Sequence, residues 1–399
     1  MISDFTYYTP TKVMFGKNTE SEVGSLIAKE GCKKVLVHYG SESAKKSGLL
    51  DRVTSSLAKA GIQYVTLGGV VPNPRLSKVH EGIELCKKEG VDFLLAVGGG
   101  SVIDSAKAIG YGLYHDGEVW DFYDQSRPIQ GCYPIGAVLT IAAAGSEMSN
   151  SSVITNEDGN LKRGANHDSS RCRFAIMNPE LTYTLPAYQT MSGAVDIMMH
   201  TIERYFINGP SMDLTDQMAE ALLRSVIQAA IKLKVDSKDY DARATLMWAS
   251  SLSHNGLMGC GNSQRGDWAP HQLEHEMGGM FDVAHGAGLS AVWIAWATYV
   301  YQHNAARFAR FGEKVLLLQR SGDDTKDALK TIDAMQNFFR SIDMPTNFAE
   351  LGIEPTEAQI EEMAEKATFF GKRTLGNVLV LGKEEIRAIY QLAASMDQR

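Results

Sequence analysis

The amino-acid sequence predicts an α/β domain built on a doubly wound parallel sheet, followed by an all-helical domain. Over the first half of the chain, short apolar runs of β type alternate with amphipathic runs of helical period, which is the pattern of a parallel sheet covered by helices. From about Leu185 onward, nearly every segment has helical period and strand-like runs are scarce. A chain of 399 residues is also too long for one compact core. We therefore expect two domains, residues 1–185 and residues 186–399.

The strands predicted for the first domain are separated by helical segments, as in a Rossmann-like fold. They lie at residues 35–39, 62–67, 91–97 and 133–139, and the helices lie at 49–60, at 76–89 and from Val102 onward. The strand at 91–97 is apolar on both faces, which is typical of a buried parallel strand. In such sheets, ligands bind beyond the carboxyl ends of the strands.

The second domain is predicted to be all-helical. These helices lie at residues 190–206, 213–234, 241–252, 286–302, 326–341 and 356–369. Gly278 and Gly279 are expected to end a helix and turn the chain between two segments that carry histidines, because glycine weakens a helix.

Composition and charge limit the classes of partner. The formal net charge is -8 and the sequence pI is about 5.7, which argues against nucleic-acid binding as the main task. The longest uncharged apolar stretch, residues 286–301, is too short to predict a membrane span. The five cysteines form no CxxC pair, and the first residues show no signal pattern. We therefore expect a cytoplasmic protein with reduced thiols and no membrane partner.

A run of three glycines follows the strand at 91–97 and precedes a helix. Gly98, Gly99 and Gly100 allow a sharp turn and a close approach of the backbone to a ligand. The helix that starts at this point offers amide groups and the positive end of its dipole to an anion. Ser101 is able to cap the helix and to donate to a phosphate oxygen. The pattern indicates a phosphate site, although a tight turn without a ligand has the same residues.

A second loop of small residues follows the strand at 133–139. It runs through Thr140 and three alanines to Gly145 and Ser146. Because it follows a neighbouring strand, it is placed to line the same cofactor, while a plain connecting loop is the alternative.

Histidine and aspartate residues in the second half are spaced as metal ligands. Asp196 and His200 lie four residues apart in a helical segment and so share one face, as do His271 and His275. His285 follows at the start of the apolar segment. Imidazole nitrogens with one carboxylate oxygen suit Fe²⁺, Zn²⁺, Mn²⁺ or Co²⁺. The alternative is a local ion pair with core histidines. The remaining histidines are interpreted as structural or surface residues: His38, His80, His115, His167, His254 and His303.

Taken together, these motifs make the chain resemble the iron-containing (group III) alcohol dehydrogenases over essentially its whole length. It is most similar to the butanol dehydrogenase and broad aldehyde reductase branch. The matching segments, in order, are residues 8–16, 98–104, 145–147, 183–186, 196–206, 271–276 and 285–286.

This resemblance implies a homodimeric enzyme that passes a hydride between NAD or NADP and a small alcohol or aldehyde. It implies a catalytic divalent metal, with Fe²⁺ favoured and Zn²⁺ as the alternative, and an interface through residues 7–15. The implied metal ligands are Asp196, His200, His271 and His285, and His275 is implied near the substrate as a proton relay. The implied cofactor residues are Gly98, Gly99, Gly100, Ser101 and Asp104 for the phosphate loop, and Thr140, Gly145, Ser146 and Lys162 for the nicotinamide side.

Two positions depart from the pattern of that branch. Ala144 stands where the branch usually has threonine, which removes a hydroxyl beside the cofactor. Near the adenosine ribose, the chain reads Gly40, Ser41, Glu42, Ser43 where the branch often has three glycines and a serine. Glu42 is able to accept from a 2′-hydroxyl and repels a 2′-phosphate, whereas Ser43, Lys45 and Lys46 favour the phosphate. The choice between NAD and NADP stays open.

Two other functions fit parts of the pattern. One is a metal- and NAD-using lyase resembling dehydroquinate synthase, which needs a pocket rich in lysine and arginine. The stretches around the predicted ligands contain Met198, Met199, Trp293 and Trp296 instead, which suits a small apolar substrate, although the same residues also suit a core. The other is a non-catalytic nucleotide-binding protein, which would bind a dinucleotide without metal or turnover.

Overall fold

A computed structural model describes residues 2–40, 42–262 and 266–396 of the protein. The chain forms two compact units, one of them Tyr8–Leu185 and the other Pro186–Arg399 together with Met1–Tyr7. The start of the chain thus belongs with the helical unit, where the Ser3 amide donates to the Gly261 carbonyl at 3.1 Å. Within the described ranges, no helix has both the length and the apolar character that crossing a bilayer requires.

The first unit contains a six-stranded parallel sheet and a separate antiparallel hairpin. In chain order the strands are β1 Lys12–Phe15, β2 Lys34–Tyr39, β3 Gln63–Leu67, β4 Phe93–Gly98, β5 Ile135–Leu139, β6 Ser151–Asn156, β7 Leu161–Asn166 and β8 Phe174–Met177. The order across the sheet is β1-β8-β5-β4-β2-β3, and β6 pairs with β7 in the hairpin. The four strands predicted from the sequence are β2 to β5, which are neighbours in the sheet and end at the edge strand β3.

Helices cover the two faces of this sheet because alternate side chains of each strand point to opposite faces. The helices are α1 Val23–Lys29, α2 Ser43–Lys46, α3 Leu49–Lys59, α4 Leu76–Glu89 and α5 Gly100–Tyr114. Val35 and Val37 of β2 belong to a buried cluster with residues of α1 and α3. His38 points the other way, where its Nε2 lies 2.9 Å from the hydroxyl of Ser105 in α5. The predicted α/β class with a doubly wound parallel sheet is therefore confirmed.

The second unit is helical, as predicted. Its helices are α6 Ala187–Tyr205, α7 Asp213–Val235, α8 Tyr240–His254, α9 Ala269–Phe281, α10 His285–Val300, α11 Ala305–Lys314, α12 Asp324–Ser341, α13 Phe348–Leu351, α14 Glu357–Ala367 and α15 Lys383–Ser395. Helix α10 is buried along almost its whole length and packs against α6, α9, α12 and α15. Met198, Met199, Trp293 and Trp296 are all fully buried, so they form the core.

The prediction that a helix ends at Gly278 and Gly279 is wrong. Gly278 and Gly279 are buried and helical, and α9 continues through both of them to Phe281. Their burial between packed helices outweighs the weak helix propensity of glycine. The chain reverses instead at Asp282, which ends α9 in the left-handed region with φ 52°.

Candidate metal centre and dinucleotide site

Three helices of the second unit bring four of the predicted residues to one place. Asp196 and His200 lie one turn apart on α6, His271 lies in the first turn of α9, and His285 is the first residue of α10. The Oδ1 atom of Asp196 is 3.2 Å from His200 Nδ1, 3.6 Å from His271 Nε2 and 3.7 Å from His285 Nε2. The ligand atoms of Asp196, His200 and His271 all lie within 4.8 Å of one another, and these three residues are buried.

Two buried glutamates hold two of these imidazole rings from behind. The Nδ1 of His271 donates to Glu203 Oε1 at 2.6 Å, and the Nδ1 of His285 donates to Glu274 Oε2. Both glutamates are fully buried. A carboxylate that takes the Nδ1 proton fixes the tautomer, so the Nε2 lone pair of each ring faces the cluster.

The donor set fits a divalent cation. Asp196 Oδ1, His200 Nδ1 and His271 Nε2 are buried, and none of them has a hydrogen-bond partner among the residues that the structure describes. A carboxylate oxygen and imidazole lone pairs that face one another repel unless a positive charge lies between them. The carboxylates favour a positive charge at this place: burial alone would lower the pKa of His271, but Glu203 and Asp196 raise it to about 9. One carboxylate oxygen with imidazole nitrogens is a ligand set that Fe²⁺ and Zn²⁺ accept.

Other aromatic rings surround the cluster. The ring of His275 lies 6.5 Å from that of His271 and 6.0 Å from that of His285, measured between centroids. His254, for which the sequence indicates no partner, lies with its ring 3.9 Å from the His200 ring. Trp268 adopts a left-handed backbone with φ 61° at the start of α9, with its ring 5.5 Å from that of His271. A bulky residue in that backbone region is strained, and the surrounding packing holds it there.

The glycine loop in the first unit joins β4 to α5, as predicted. Gly98 is the last residue of β4, Gly99 caps α5 and the helix begins at Gly100. The expectation that Ser101 caps this helix is wrong, because Ser101 lies inside the first turn and Gly99 is the cap residue. None of the described side chains caps the helix start, so its first amide groups remain available to an anion. A methyl group added at Gly100 would lie 3.1 Å from the β-carbon of Ala144, so the second loop approaches the glycines closely.

The second predicted loop lies directly beside the first. Gly98 and Leu139 are partners in the β4–β5 pairing, and the Thr140 amide donates to the Gly98 carbonyl at 3.0 Å. Gly145 and Ser146 are buried, whereas Thr140 and Ala144 are partly exposed. Lys162 is buried on β7, where it pairs with Thr155 of β6. The structure thus brings the Gly98–Ser101 and Thr140–Ser146 segments together at the carboxyl ends of adjacent strands.

The predicted ribose segment follows β2. Gly40 comes directly after that strand, Ser43 begins α2, and Ser41 lies outside the described residues. The Glu42 carboxylate is 3.2 Å from Lys45 Nζ. Glu42, which is expected to repel a 2′-phosphate, therefore pairs with Lys45, which is expected to favour one.

Three residues with clear structural roles were not assigned any by the sequence analysis. Glu203 lies seven residues after Asp196 on the same face of α6, and Glu274 lies three residues after His271 on α9. Lys107 lies three residues after Asp104 on α5. Helical spacing from a candidate ligand was the available signal, but a buried acid or base three or seven residues away is equally compatible with an ordinary ion pair.

Comparison with known proteins assigns both units to one family. The family model described as iron-containing alcohol dehydrogenase matches residues 10–179, and the model of the C-terminal part of the same family matches residues 190–394. The chain is 37% identical to NADH-dependent butanol dehydrogenase A of Clostridium acetobutylicum over 97% of this chain and 98% of that protein. It is 32% identical to the NADPH-dependent aldehyde reductase YqhD of Escherichia coli over 98% of this chain and 100% of that protein.

The solved structures agree with this assignment. The crystal structure of NADH-dependent butanol dehydrogenase A from Thermotoga maritima superposes with a TM-score of 0.94. It shares 39% sequence identity and covers 99% of each chain.

Proposed function

The chain belongs to the iron-containing alcohol dehydrogenase family, and we propose that it interconverts small alcohols and aldehydes of the butanol and butyraldehyde kind. It is an NAD(P)-dependent alcohol and aldehyde oxidoreductase. The lyase alternative and the non-catalytic alternative are not favoured, because the relatives are named as dehydrogenases and aldehyde reductases. The observation that carries the metal-dependent form of this function is the convergence of three imidazole nitrogens on the buried Asp196 Oδ1, those of the buried His200 and His271 and that of the partly exposed His285.

We propose that Asp196, His200, His271 and His285 hold the divalent metal, with Fe²⁺ favoured and Zn²⁺ as the alternative. When bound, the cation supplies a Lewis acid for the substrate oxygen and the nicotinamide supplies or accepts the hydride.

The residues around the ligands have separate tasks in this proposal. Glu203 and Glu274 keep the Nε2 atoms of His271 and His285 directed to the metal by holding their Nδ1 protons. His275, one turn after His271, takes the hydroxyl proton of an alcohol on a ring nitrogen, and in the reverse direction returns it. The burial of the cluster limits access of water to the reacting groups.

We propose that the diphosphate of the dinucleotide binds at the start of α5, on the amides of the Gly98–Ser101 segment. The uncapped helix start and the absence of side chains at the glycines support this placement. The partly exposed Thr140 and Ala144 then lie beside the nicotinamide end, together with Gly145, Ser146 and Lys162. Gly40, Glu42 and Ser43 lie beside the adenosine ribose, with the predicted Ser41 outside the described residues.

Replacement of one ligand tests the proposed function. His271→Ala should lose bound metal and also the oxidation of NADH or NADPH by butyraldehyde. His303→Ala, which removes an exposed histidine beyond the end of α10 opposite to His285, serves as the matched control and should keep both. Full turnover by a metal-free His271→Ala protein would refute the assignment.

A cytoplasmic location stays a prediction of the sequence.

We also propose that the protein is a homodimer joined through residues 7–15. Strand β1 lies at the edge of its sheet. Tyr8, before the strand, is 53% exposed and Phe15, its last residue, is 41% exposed. The Lys12 amide donates to the Arg173 carbonyl just before β8 and the Gly16 amide donates to the Met177 carbonyl at its end, so by alternation the Val13 amide faces the open edge. Val13→Pro removes an outward donor without removing a bond to β8, and should lower the dimer fraction in analytical ultracentrifugation. An unchanged dimer would place the interface elsewhere.

A further inference from the structure

We propose that the partly exposed Asp104 and the buried Lys107 and Ser146 form a polar clamp that sets the position of residues 140–145. Through that segment, the clamp controls the affinity for the nicotinamide end of the dinucleotide. The proposal rests on the proposed function, because it takes residues 140–145 as a wall of the dinucleotide site. All three members of the clamp are positioning residues, since they act through the backbone of that segment.

Lys107 is a fully buried lysine whose ammonium group bonds to one short segment of chain. Its Nζ donates to the carbonyl oxygens of Ser146 at 2.7 Å, Ser149 at 3.0 Å and Ser151 at 2.8 Å. It also lies 3.1 Å from the Ser146 hydroxyl. Three donors meet three carbonyls, so the charge is satisfied by backbone oxygens that have to curl around it. The segment 146–151 is therefore wrapped on a cation supplied by α5.

Asp104 fixes the same segment one helical turn earlier on α5. Its Oδ1 accepts from the Ser146 hydroxyl, and its Oδ2 accepts from the Val153 amide at 3.0 Å. The Asp104 carbonyl also accepts from the Ser152 hydroxyl at 2.8 Å. The start and the end of the wrapped segment are thus both held by one residue, and its middle is held by Lys107.

These bonds decide how Ser146 acts. Its hydroxyl proton is committed to Asp104, its oxygen lies 3.1 Å from Lys107 Nζ, and the residue is 3% exposed. Ser146 therefore serves the nicotinamide end by holding its loop, in place of the direct cofactor contact that the family resemblance implies. The surface that remains for a ligand is made by the residues just before it, of which Thr140 and Ala144 are partly exposed.

The position of residues 140–145 determines the space beside the glycine loop. A β-carbon added at Gly99 would lie 2.9 Å from Ile141 Cδ1, and one added at Gly100 would lie 3.1 Å from the Ala144 β-carbon. The two loops are already as close as side chains permit, so a small displacement of the second loop changes the shape of the site. Removing the Lys107 ammonium group takes its strongest donor from each of three carbonyls, and the segment has to move to satisfy them.

The test compares two ligands that differ only at the nicotinamide end. Lys107→Met keeps the length of the side chain and removes its donors, and Asp104→Asn provides a second, milder variant should the first not fold. Binding of NADH and of ADP-ribose, which lacks the nicotinamide ring, is measured by calorimetry on the metal-loaded protein. We expect either variant to lower the affinity for NADH by about 10- to 100-fold, because residues 140–145 would be misplaced by about 1 Å. ADP-ribose binding should change by less than about twofold, because the phosphate loop itself is untouched.

Two controls separate this effect from a general loss of stability. Ile109→Ala creates a cavity on the face of α5 that packs on Gly82, away from residues 146–151, and should leave NADH binding unchanged at a comparable loss of thermal stability. Ser146→Ala should weaken NADH in the otherwise unchanged protein and add little in the Lys107→Met background, since both act through one segment.

The outcomes are distinguishable. Equal weakening of NADH and ADP-ribose, or unchanged NADH binding in a folded Lys107→Met or Asp104→Asn protein, overturns the clamp while the proposed function stands. A wild-type protein that binds neither NADH nor NADPH overturns the proposed function and the clamp together.

Discussion

Replacing Glu203 by glutamine tests how the protein prepares His271 for a metal. Glu203 is fully buried and accepts the Nδ1 proton of His271 at 2.6 Å. Glutamine keeps the size of the side chain but removes its charge, and its amide group is able to present a donor to Nδ1 in place of an acceptor. The variant should therefore bind Fe²⁺ and Zn²⁺ more weakly than the wild type.

The magnitude follows from the kind of bond that is lost. Loss of a carboxylate behind a ligating histidine costs about 10- to 100-fold in metal affinity, which is about 1.4 to 2.7 kcal/mol. The bond here is short, charge-assisted and shielded from water, so we expect the upper part of this range. A hydrogen bond to a charged group contributes about 1.5 to 3 kcal/mol in proteins, which agrees with that expectation.

Competition with a metal chelator, followed by elemental analysis of the protein, measures this affinity. Glu220→Gln is the matched control, because Glu220 is also buried and pairs with Tyr205 and Arg310 without contact to the cluster. It should lose stability and keep its metal affinity. Wild-type affinity in Glu203→Gln, or an equal loss of affinity in Glu220→Gln, would refute the reasoning.

Three further predictions concern the first unit. Burial lowers the pKa of His38 from 6.5 to about 4, so the unfolded chain takes up a proton first as the pH falls. The contribution of His38 to the free energy of unfolding in urea should be fully present above pH 6.5 and fall by about 3 kcal/mol between pH 6.5 and pH 4. The His38→Gln protein should lack this pH dependence. Gly100→Val should weaken NADH by at least about tenfold at unchanged metal content, because the new side chain meets Ala144, and unchanged binding would contradict the phosphate loop. Glu42→Gln should release Lys45 and shift the kcat/KM ratio towards NADPH by about two- to fivefold, and a shift towards NADH would contradict the placement of the ribose.

The parts of the fold that the sequence predicts are those with long, regular hydrophobic patterns. Strands β2 to β5 stand out because each is a run of apolar residues that ends at a turn. Strands β1 and β8 have only four residues each, too few for a pattern to be distinguished from a loop. The β6–β7 hairpin shows no regular alternation of apolar and polar residues, and its pairing depends on contacts with α5 that no local pattern contains.

The candidate site was predictable in its residue types but not in its supporting bonds. The four-residue spacing of Asp196 and His200 places both on one face of a helix, whatever else surrounds them. The approach of His271 and His285 depends on the reversal at Asp282, which the sequence analysis wrongly assigned to Gly278 and Gly279. Tertiary packing decides such a boundary, and local propensity does not.

The clamp shows the same limit in the first unit. Asp104 and Lys107 lie one turn apart on α5, but Ser146 lies about forty residues further along the chain. Their hydrogen bonds require the segment after β5 to lie against α5. A buried lysine has no periodic signature, so only the folded structure reveals what it bonds to.

The most direct test of the metal centre is an anomalous diffraction map of a crystal of the iron-loaded protein. We expect one strong peak within about 2.0 to 2.2 Å of ligand atoms of Asp196, His200, His271 and His285. A map with no peak among these four side chains, or with its peak elsewhere in the chain, would contradict the account.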